Sequence, residues 1–345
     1  MPTFSSDQLR KLCIKMFQAV DASDEQAEVV TEILLDTSLF GIDSHGVRAV
    51  PGHIKSVKSG RIRADAEITV LKDTLTTALW SSLQQFGHVV GKKAMASAIK
   101  KAEKYGMGWV STVTPHIGAL YYYSLMAAKK DMIGIVTCRT TNYRTTPYGG
   151  KEGRLGTNPI SICIPAYEEK PILLDMATSI AAAGHIAVMG ARGEKVPEGW
   201  LLDKNGNSTT DPNDYTLQGG LLTPFGAYKG YGLSIIIQAL PDFIPGIEIE
   251  NERSQGITHA HTFMALDPAG FMPLQDYKKR TDALIRYIKS CPPLPGRKVQ
   301  MPFDREWSVR ERRVKEGIPV DELFWKRFIE VGNEIGIDVN KEMDM

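Results

Sequence analysis

The segment Asp43 to Arg48 places a hydroxyl, an imidazole and a guanidinium within five positions, shortly after Gly41. His45 can donate or accept a proton near neutral pH, because its ordinary pKa lies there. Arg48 offers a planar fork of donors that matches a carboxylate. An acid/base group beside a carboxylate clamp is what chemistry at C2 of a 2-oxo or 2-hydroxy acid requires. A loop with a solvated cation is the alternative interpretation.

A second candidate, His116, follows Val113-Thr114-Pro115, where a predicted strand gives way to a predicted helix. Such junctions are frequent site positions in α/β sheets. They are also ordinary positions for helix caps, so a structural role for His116 stays open.

The bulk composition excludes several classes of protein. The chain has 345 residues, with 41 basic and 40 acidic side chains, so no basic field suggests a nucleic-acid partner. No apolar run reaches the length of a membrane span, and residues 1–20 show no signal-peptide pattern. Four scattered cysteines, none in CxxC spacing, predict reduced thiols in a cytoplasmic protein.

Helical and strand patterns alternate along the chain, which predicts an α/β fold. Ser23 and Gln26 form a capping box for a second helix that stops at Gly41, and Gly106 should cap a later helix. Strands are expected at 108–113, 132–138, 159–164 and 172–174, and residues 203–220 are expected to form a surface loop. The Rossmann fingerprint GxGxxG is absent from every predicted strand-to-helix junction.

Ten segments in one order carry a resemblance to a known family. They are Asp43–Arg48, Gly87–His88, His116–Ala119, Pro147–Gly150, Gly156–Pro159, Asp175–Ser179, Pro197–Trp200, Lys229–Leu233 and His261–Pro268, followed by Leu294–Gly296. Together they resemble the malate/L-lactate dehydrogenase family of the non-Rossmann type. That family includes ureidoglycolate, sulfolactate and diketogulonate oxidoreductases and cyclic-imine reductases.

The resemblance implies a fold, a domain division and an oligomeric state. The fold is a non-Rossmann, nicotinamide-binding mixed sheet with helical regions at both ends of the chain. The expected regions are 1–118 (helical, substrate), 119–285 (mixed sheet, NAD(P)) and 286–345 (helical, packed on the first). A homodimer is expected, with Phe324 and Trp325 as exposed apolar side chains at a partner surface.

The resemblance also implies which residues line the site. His45 is favoured over His116 as the proton donor, with Ser44 hydrogen-bonded near it and His116 orienting the substrate or the nicotinamide amide. Arg48, His53 and Thr157 are expected to contact a small carboxylate substrate. The expected cofactor contacts are Asn158, Asp175, Met176, Ala177, Thr178, Tyr228, Lys229, Arg139, Arg144 and Gly296.

Two further patterns bear on cofactor and metal. Arg139 and Arg144 flank a threonine-rich segment and could pair with a 2′-phosphate, which favours NADP over NAD. His259 and His261 should share one face of a strand. Their spacing would suit zinc, but no third ligand stands nearby, and no metal is expected.

Departures from the family pattern leave the substrate open. His53, after Gly52, stands where relatives commonly have tyrosine, and His185 replaces a frequent lysine. Residues 241–258 look shortened, and Arg297 stands where an acid is usual. Three functions therefore remain: an NAD(P)-dependent oxidoreductase of a 2-oxo or 2-hydroxy acid, a reductase of a cyclic imine carboxylate, or a catalytically idle relative that binds cofactor.

Overall fold

The structure, a computed structural model, describes residues 2–244 and 259–343. The strands are β1 Thr3–Phe4, β2 Thr69–Asp73, β3 Thr77–Ser81, β4 Met107–Thr114, β5 Ile133–Arg139, β6 Ile160–Ile164, β7 Ile172–Met176, β8 Leu201–Leu202, β9 Ser208–Thr209, β10 Leu221–Leu222, β11 His259–Leu266 and β12 Ile318–Pro319. The α-helices are α1 Ser6–Gln18, α2 Asp24–Leu39, α3 Val50–Lys58, α4 Gly87–Tyr105, α5 Tyr121–Ala128, α6 Ala183–Ala191, α7 Pro212–Thr216, α8 Tyr228–Phe243, α9 Leu274–Lys289, α10 Asp304–Glu316, α11 Glu322–Glu334 and α12 Val339–Met343.

A seven-stranded mixed sheet forms the centre of the molecule, in the order β2-β3-β4-β11-β5-β6-β7. Only β3 and β4 pair in parallel; the other neighbours are antiparallel. The mixed sheet and the helical regions at both ends confirm the predicted fold class. β2, β3 and β4 come from the region 1–118, so this region supplies three strands to the sheet; the domain division itself stays a prediction.

The N-terminal helices begin where the sequence predicts. Ser5 and Ser23 each accept a hydrogen bond from the backbone N–H of the glutamine three residues later, and that glutamine bonds back to the serine N–H. This reciprocal bonding satisfies donors that the first helical turn leaves unpaired. Gly41 and Gly106 adopt positive φ values of 80° and 84° at the ends of α2 and α4, as helix-terminating glycines do.

The C-terminal helices pack on the N-terminal helices, because α11 contacts α3 and α12 contacts α1. A buried ionic contact reinforces this arrangement: Arg313 on α10 donates to both carboxylate oxygens of Asp43, at 2.6 and 3.0 Å. The same guanidinium donates to the carbonyl of Ser38. Arg313 therefore fastens the Asp43–His45 turn to the other end of the chain.

Some elements differ from the sequence prediction. Residues 203–220 are not a plain surface loop. They contain β9, which pairs with β8 in a small three-stranded sheet completed by β10, and α7, which contacts β8. A turn-rich composition does not reveal such short elements, because they are stabilised by tertiary contacts. The segment 241–258 lies mostly outside the described residues. No helix in the described part of the chain is long and apolar enough to cross a membrane.

We predict that Arg313→Met lowers the free energy of unfolding by about 3 kcal/mol, since it leaves a partly buried Asp43 carboxylate without its bidentate partner. Turnover should fall as well, because the Asp43–His45 turn loses its anchor. Urea unfolding and steady-state assays check both effects. The control is Arg312→Met, an exposed arginine on the same helix. Equal stability of the two variants would contradict the anchoring role.

Candidate active site

A cavity of about 680 Å³ lies along the edge of the central sheet that is formed by the ends of its strands. β4, β5 and β7 end at this edge, and β11 and β6 begin there. From β4 to β7 there are four interstrand spacings of about 4.8 Å, so the edge is roughly 19 Å long. The cavity therefore suits an extended ligand, and its volume is typical of small-molecule sites. Its walls include Ser44, His45, Gly118, Thr140, Asn142, Thr157, Asp175, Met176, Ala177, Gly184, His259, Phe303, Arg305 and Glu306.

His45 stands at the end of a single 3₁₀ turn, Asp43–His45, that the Arg313 anchor holds in place. The hydroxyl of Ser44 lies 2.8 Å from Nδ1 of His45. A hydroxyl can donate to a bare ring nitrogen or accept from a protonated one. The pair therefore accommodates both protonation states of His45.

The ring of His116 lies 5.3 Å from that of His45, in a stacked arrangement; His45 lines the cavity, and His116 stands next to it without being one of the lining residues. Its Nδ1 accepts a hydrogen bond of 3.1 Å from the backbone N–H of Gly118. A backbone N–H can only donate, so Nδ1 carries no proton and the neutral ring holds its proton on Nε2. Gly118 has φ of +81°, which glycine adopts readily, and this conformation directs its N–H toward the ring.

Six of the seven histidines form one cluster around this edge. Beyond His45 and His116, His259 lies 5.4 Å from His116 between ring centroids, and His53 lies 5.0 Å from the buried His88. His261, the sixth, follows His259 on the same face of β11. The predicted one-face placement of His259 and His261 is thus observed.

Burial disfavours the charged form of the clustered histidines. Burial lowers the pKa of His45, and lowers the pKa of His53 and of His259 to about 4. The pKa of His116 falls well below its ordinary value, first through burial and then through repulsion by neighbouring histidines. His116 is therefore a neutral donor through Nε2. The pKa of His45 is lowered less than that of His116, so His45 is the better proton carrier.

Arg48 turns toward the C-terminal helices, where its guanidinium carbon lies 4.9 Å from the ring centroid of Phe324 on α11. Its Nε is buried and has no hydrogen-bond partner. Among the described residues Arg48 forms no ion pair either, so its charge is available to an anionic ligand.

Phe324 and Trp325 are half-buried, and the ring of Trp325 lies 4.3 Å from that of Phe4 between centroids. These aromatics are therefore not the exposed surface that the sequence predicted.

Four predicted contacts, Thr157, Asp175, Met176 and Ala177, do line the cavity. Asp175 accepts a hydrogen bond of 3.1 Å from the backbone N–H of Tyr121. Burial raises the pKa of Asp175 to about 7; the Tyr121 bond lowers this pKa, and nearby Glu306 raises it. The carboxyl group can therefore accept from or donate to a ligand hydroxyl near neutral pH.

Several predicted contacts lie elsewhere. Asn158 is buried and its Nδ2 donates to Ser234 and Gln238 of α8, while the Thr178 hydroxyl donates to the carbonyls of Thr157 and Asn158. Both side chains shape the cavity wall from behind. Tyr228 and Lys229 are exposed at the start of α8, and Gly296 is exposed in a turn with φ of +72°. None of these five lines the cavity.

The two arginines expected at a 2′-phosphate are also placed elsewhere. Arg139 is fully buried in β5. Arg144 stacks on Tyr215, with its guanidinium carbon 3.9 Å from the ring centroid, and donates to the carbonyl of Gly220 at 2.6 Å. A guanidinium engaged in this way is not presented to a cofactor, so the structural basis for favouring NADP is lost.

Sequence reasoning missed other parts of the site. His259 was considered only as a metal ligand, but it lines the cavity beside His116. The wall formed by Pro302 to Glu306 carries no motif and comes from a region distant in sequence.

Within residues 2–244 and 259–343, no group of three or more His, Cys, Asp or Glu is arranged to hold a metal ion. His185, one of the noted departures, lies outside the cluster against Trp200.

Comparisons with known proteins agree with this architecture. Residues 4–328 match the family model described as malate/L-lactate dehydrogenase. The chain is 36% identical to a malate/(S)-sulfolactate dehydrogenase of Methanothermus fervidus, over 97% of this chain and 98% of the relative.

Solved structures show the same similarity. The sulfolactate dehydrogenase from Methanocaldococcus jannaschii superposes with a TM-score of 0.90 at 33% identity, covering 99% of both chains. The Δ1-piperideine-2-carboxylate reductase from Pseudomonas syringae has a TM-score of 0.84 at 25% identity, covering 96% of this chain and all of that one. The similarity therefore extends over nearly the full length of the chain.

Proposed function

The chain belongs to the malate/L-lactate dehydrogenase family, and from this premise we propose that it is a nicotinamide-dependent oxidoreductase of a small 2-oxo or 2-hydroxy acid. The observation that carries the proposal is the stacking of the His45 ring on the His116 ring. Arg48 follows His45 by three residues, and its buried Nε has no hydrogen-bond partner. An acid/base, a neutral donor and a carboxylate clamp are the groups that such a reaction needs.

In the reductive direction, each residue has a separate task. Arg48 binds the substrate carboxylate and sets which face of the C2 carbonyl is presented. His116 donates a hydrogen bond from Nε2 to the carbonyl oxygen, where negative charge develops. Protonated His45 transfers the proton on Nε2 to that oxygen, while Nδ1 keeps its proton and donates to the Ser44 hydroxyl. The stacked rings disfavour two positive charges, so only one of the two imidazoles is protonated at a time.

The cavity fits a nicotinamide dinucleotide. The part of the sheet along which it lies is roughly 19 Å across, from four strand spacings. Asp175 and Thr157 offer groups for hydroxyls, and the N-terminus of α6 closes over Ser44, where a Cβ on Gly184 would come within 3.2 Å of the serine Cβ. A bound nicotinamide supplies the hydride that reduces C2. The proposal covers both NAD and NADP, because Arg139 and Arg144 are engaged elsewhere.

A cyclic imine carboxylate is the rival substrate. The same clamp and donor would serve it, with the proton delivered to nitrogen, and one structural relative is a reductase of that kind. The contact of the Ser44 hydroxyl with His45, together with an Arg48 that forms no ion pair among the described residues, argues against the third possibility, an idle relative.

We predict that the protein oxidises NADH or NADPH in the presence of a small 2-oxo acid. The assay follows reduced-nicotinamide absorbance with oxaloacetate, pyruvate and a cyclic imine carboxylate, each with both cofactors. Saturable nicotinamide fluorescence without turnover would support the idle relative. Absence of binding to both cofactors at millimolar concentration would remove the proposal.

We predict that His45→Ala lowers reductive kcat by about 10²–10⁴-fold. Because the donor must be protonated and burial lowers the pKa of His45, wild-type kcat/KM should fall as pH rises through a pKa below 6.5. His116→Gln, which retains a neutral N–H donor, should keep this pH profile.

His185→Ala is the matched control, since it removes a histidine outside the cavity and should change neither rate nor profile. Binding of NADH, measured by fluorescence, should be nearly unchanged in His45→Ala. The two roles are reversed if a His116 variant loses the pH dependence while His45→Ala retains it.

We also propose a homodimer, on a different surface from the one that the sequence indicated. One face of α8 exposes Tyr228, Gly232, Ile235 and Ile236, at helical spacing. A contiguous apolar face of this kind is typical of a subunit interface. Ile236→Asp should weaken association, measured by sedimentation. Sedimentation of the wild type at the mass of one chain would contradict the proposal.

A further inference from the structure

The peptide group between Ile117 and Gly118 is hydrogen-bonded at both ends. Its N–H donates to Nδ1 of His116 at 3.1 Å, and its carbonyl oxygen accepts from the hydroxyl of Tyr123 on α5. The two bonds therefore share one planar unit, in which the C=O and the N–H point in opposite directions. Gly118 also lines the candidate cavity, so this unit lies at the site itself.

The hydroxyl of Tyr123 is placed by the packing of its ring. The side chain is fully buried, and its ring meets that of Phe263 on β11 edge to face, at 5.5 Å between centroids. On α4, residue 91 is glycine, and a Cβ there would come within 2.9 Å of a ring carbon of Tyr123. Burial raises the pKa of Tyr123 well above its ordinary value, so the group stays a hydroxyl and can donate.

Gly118 by itself does not fix this orientation. Glycine adopts positive and negative φ at similar cost, so its φ of +81° would not prevent the peptide from rotating by half a turn. The carbonyl oxygen would then face the ring of His116, accept from Nδ1–H and leave Nε2 without a proton. Tyr123 opposes that rotation, because its hydroxyl donates more strongly than its ring-conjugated oxygen accepts, and the rotated peptide would present an N–H to it.

We propose that Tyr123 is the positioning residue that sets the tautomer of His116, through the peptide between Ile117 and Gly118. In the observed orientation the proton of the neutral ring stays on Nε2, where the proposed function needs a donor to the carbonyl oxygen. The catalytic consequence rests on that proposed function, whereas the tautomer itself does not depend on it. Tyr123 is not among the residues that line the cavity, so it acts through the backbone.

The test replaces Tyr123 by phenylalanine, which removes the hydroxyl and keeps the ring. The matched control is Tyr122→Phe: this neighbouring tyrosine is also buried, but its hydroxyl donates to Glu32 on α2 at 2.7 Å. The tautomer is read by NMR from the chemical shifts of the ring nitrogens of His116. His116→Gln identifies these signals among those of the seven histidines.

In the wild type and in Tyr122→Phe, His116 should carry its proton on Nε2 and none on Nδ1. In Tyr123→Phe the carbonyl of Ile117 loses its donor, so a second population with the proton on Nδ1 should appear. One ordinary hydrogen bond changes an equilibrium by about twofold to tenfold, so reductive kcat should fall by about that factor. KM and the pH profile should not change, because Arg48 and His45 are untouched.

Three results would overturn the inference. The first is a His116 that keeps its proton on Nε2 alone in Tyr123→Phe, since any loss of rate would then be structural. The second is an equal second population in Tyr122→Phe, which would indicate a general loosening of α5. The third needs no variant: a wild-type His116 with its proton on Nδ1.

The chemical shifts are measured without substrate or cofactor, so this inference and the proposed function can fail separately. A second tautomer in Tyr123→Phe with unchanged kcat would support the positioning role and remove His116 from the catalytic step. A single tautomer in that variant, combined with turnover of a 2-oxo acid by the wild type, would refute the positioning role and leave the proposed function intact.

Discussion

The bidentate contact between Asp43 and Arg313 is the interaction on which the site depends. His45 occupies a single 3₁₀ turn, which has too few hydrogen bonds of its own to hold a fixed position. Arg313 binds both carboxylate oxygens of Asp43 and the carbonyl at the end of α2, so the turn is fixed at its first residue. The two partners are 270 residues apart in the chain. The position of the proton carrier therefore requires the C-terminal helices to be folded.

The sheet edge supplies the other side of the site. Strand ends from β4, β11 and β5 bring His116, His259 and Thr140 together, although they are far apart in sequence. One backbone N–H, that of Gly118, then decides the tautomer of His116. This bond separates the roles of the two candidate histidines, of which His45 was already favoured from the sequence. Nδ1 of His45 is next to a hydroxyl, which can donate or accept, whereas Nδ1 of His116 is next to a backbone N–H, which can only donate.

Charge is distributed unevenly around the cavity. Burial disfavours the charged form of the clustered histidines, Arg139 is buried in β5, and Arg144 stacks on Tyr215. Arg48 and Arg327, by contrast, keep no acidic partner and share the ring of Phe324. The attraction for an anion is thus concentrated where α11 meets the His45 segment. In the proposed function this asymmetry orients the substrate, with its carboxylate at Arg48 and its carbonyl at the histidines.

The sequence by itself determined the local features of this protein. Capping boxes at Ser5 and Ser23 and the glycines at 41 and 106 depend on neighbours within a few residues, so their effect is readable without the fold. The same is true of His45 with Ser44, which are adjacent in the chain.

Only the tertiary structure decided which candidates meet. It placed Thr157 and Asp175 in the cavity, turned Asn158 and Thr178 inward, and paired Arg144 with Tyr215. The roles that Arg313, His259 and Phe324 have near the site are not indicated by their neighbours in sequence, because these roles come from contacts across distant segments. A guanidinium is equally suited to a phosphate, a carboxylate or an aromatic ring. Its partner is therefore set by what the fold brings within reach.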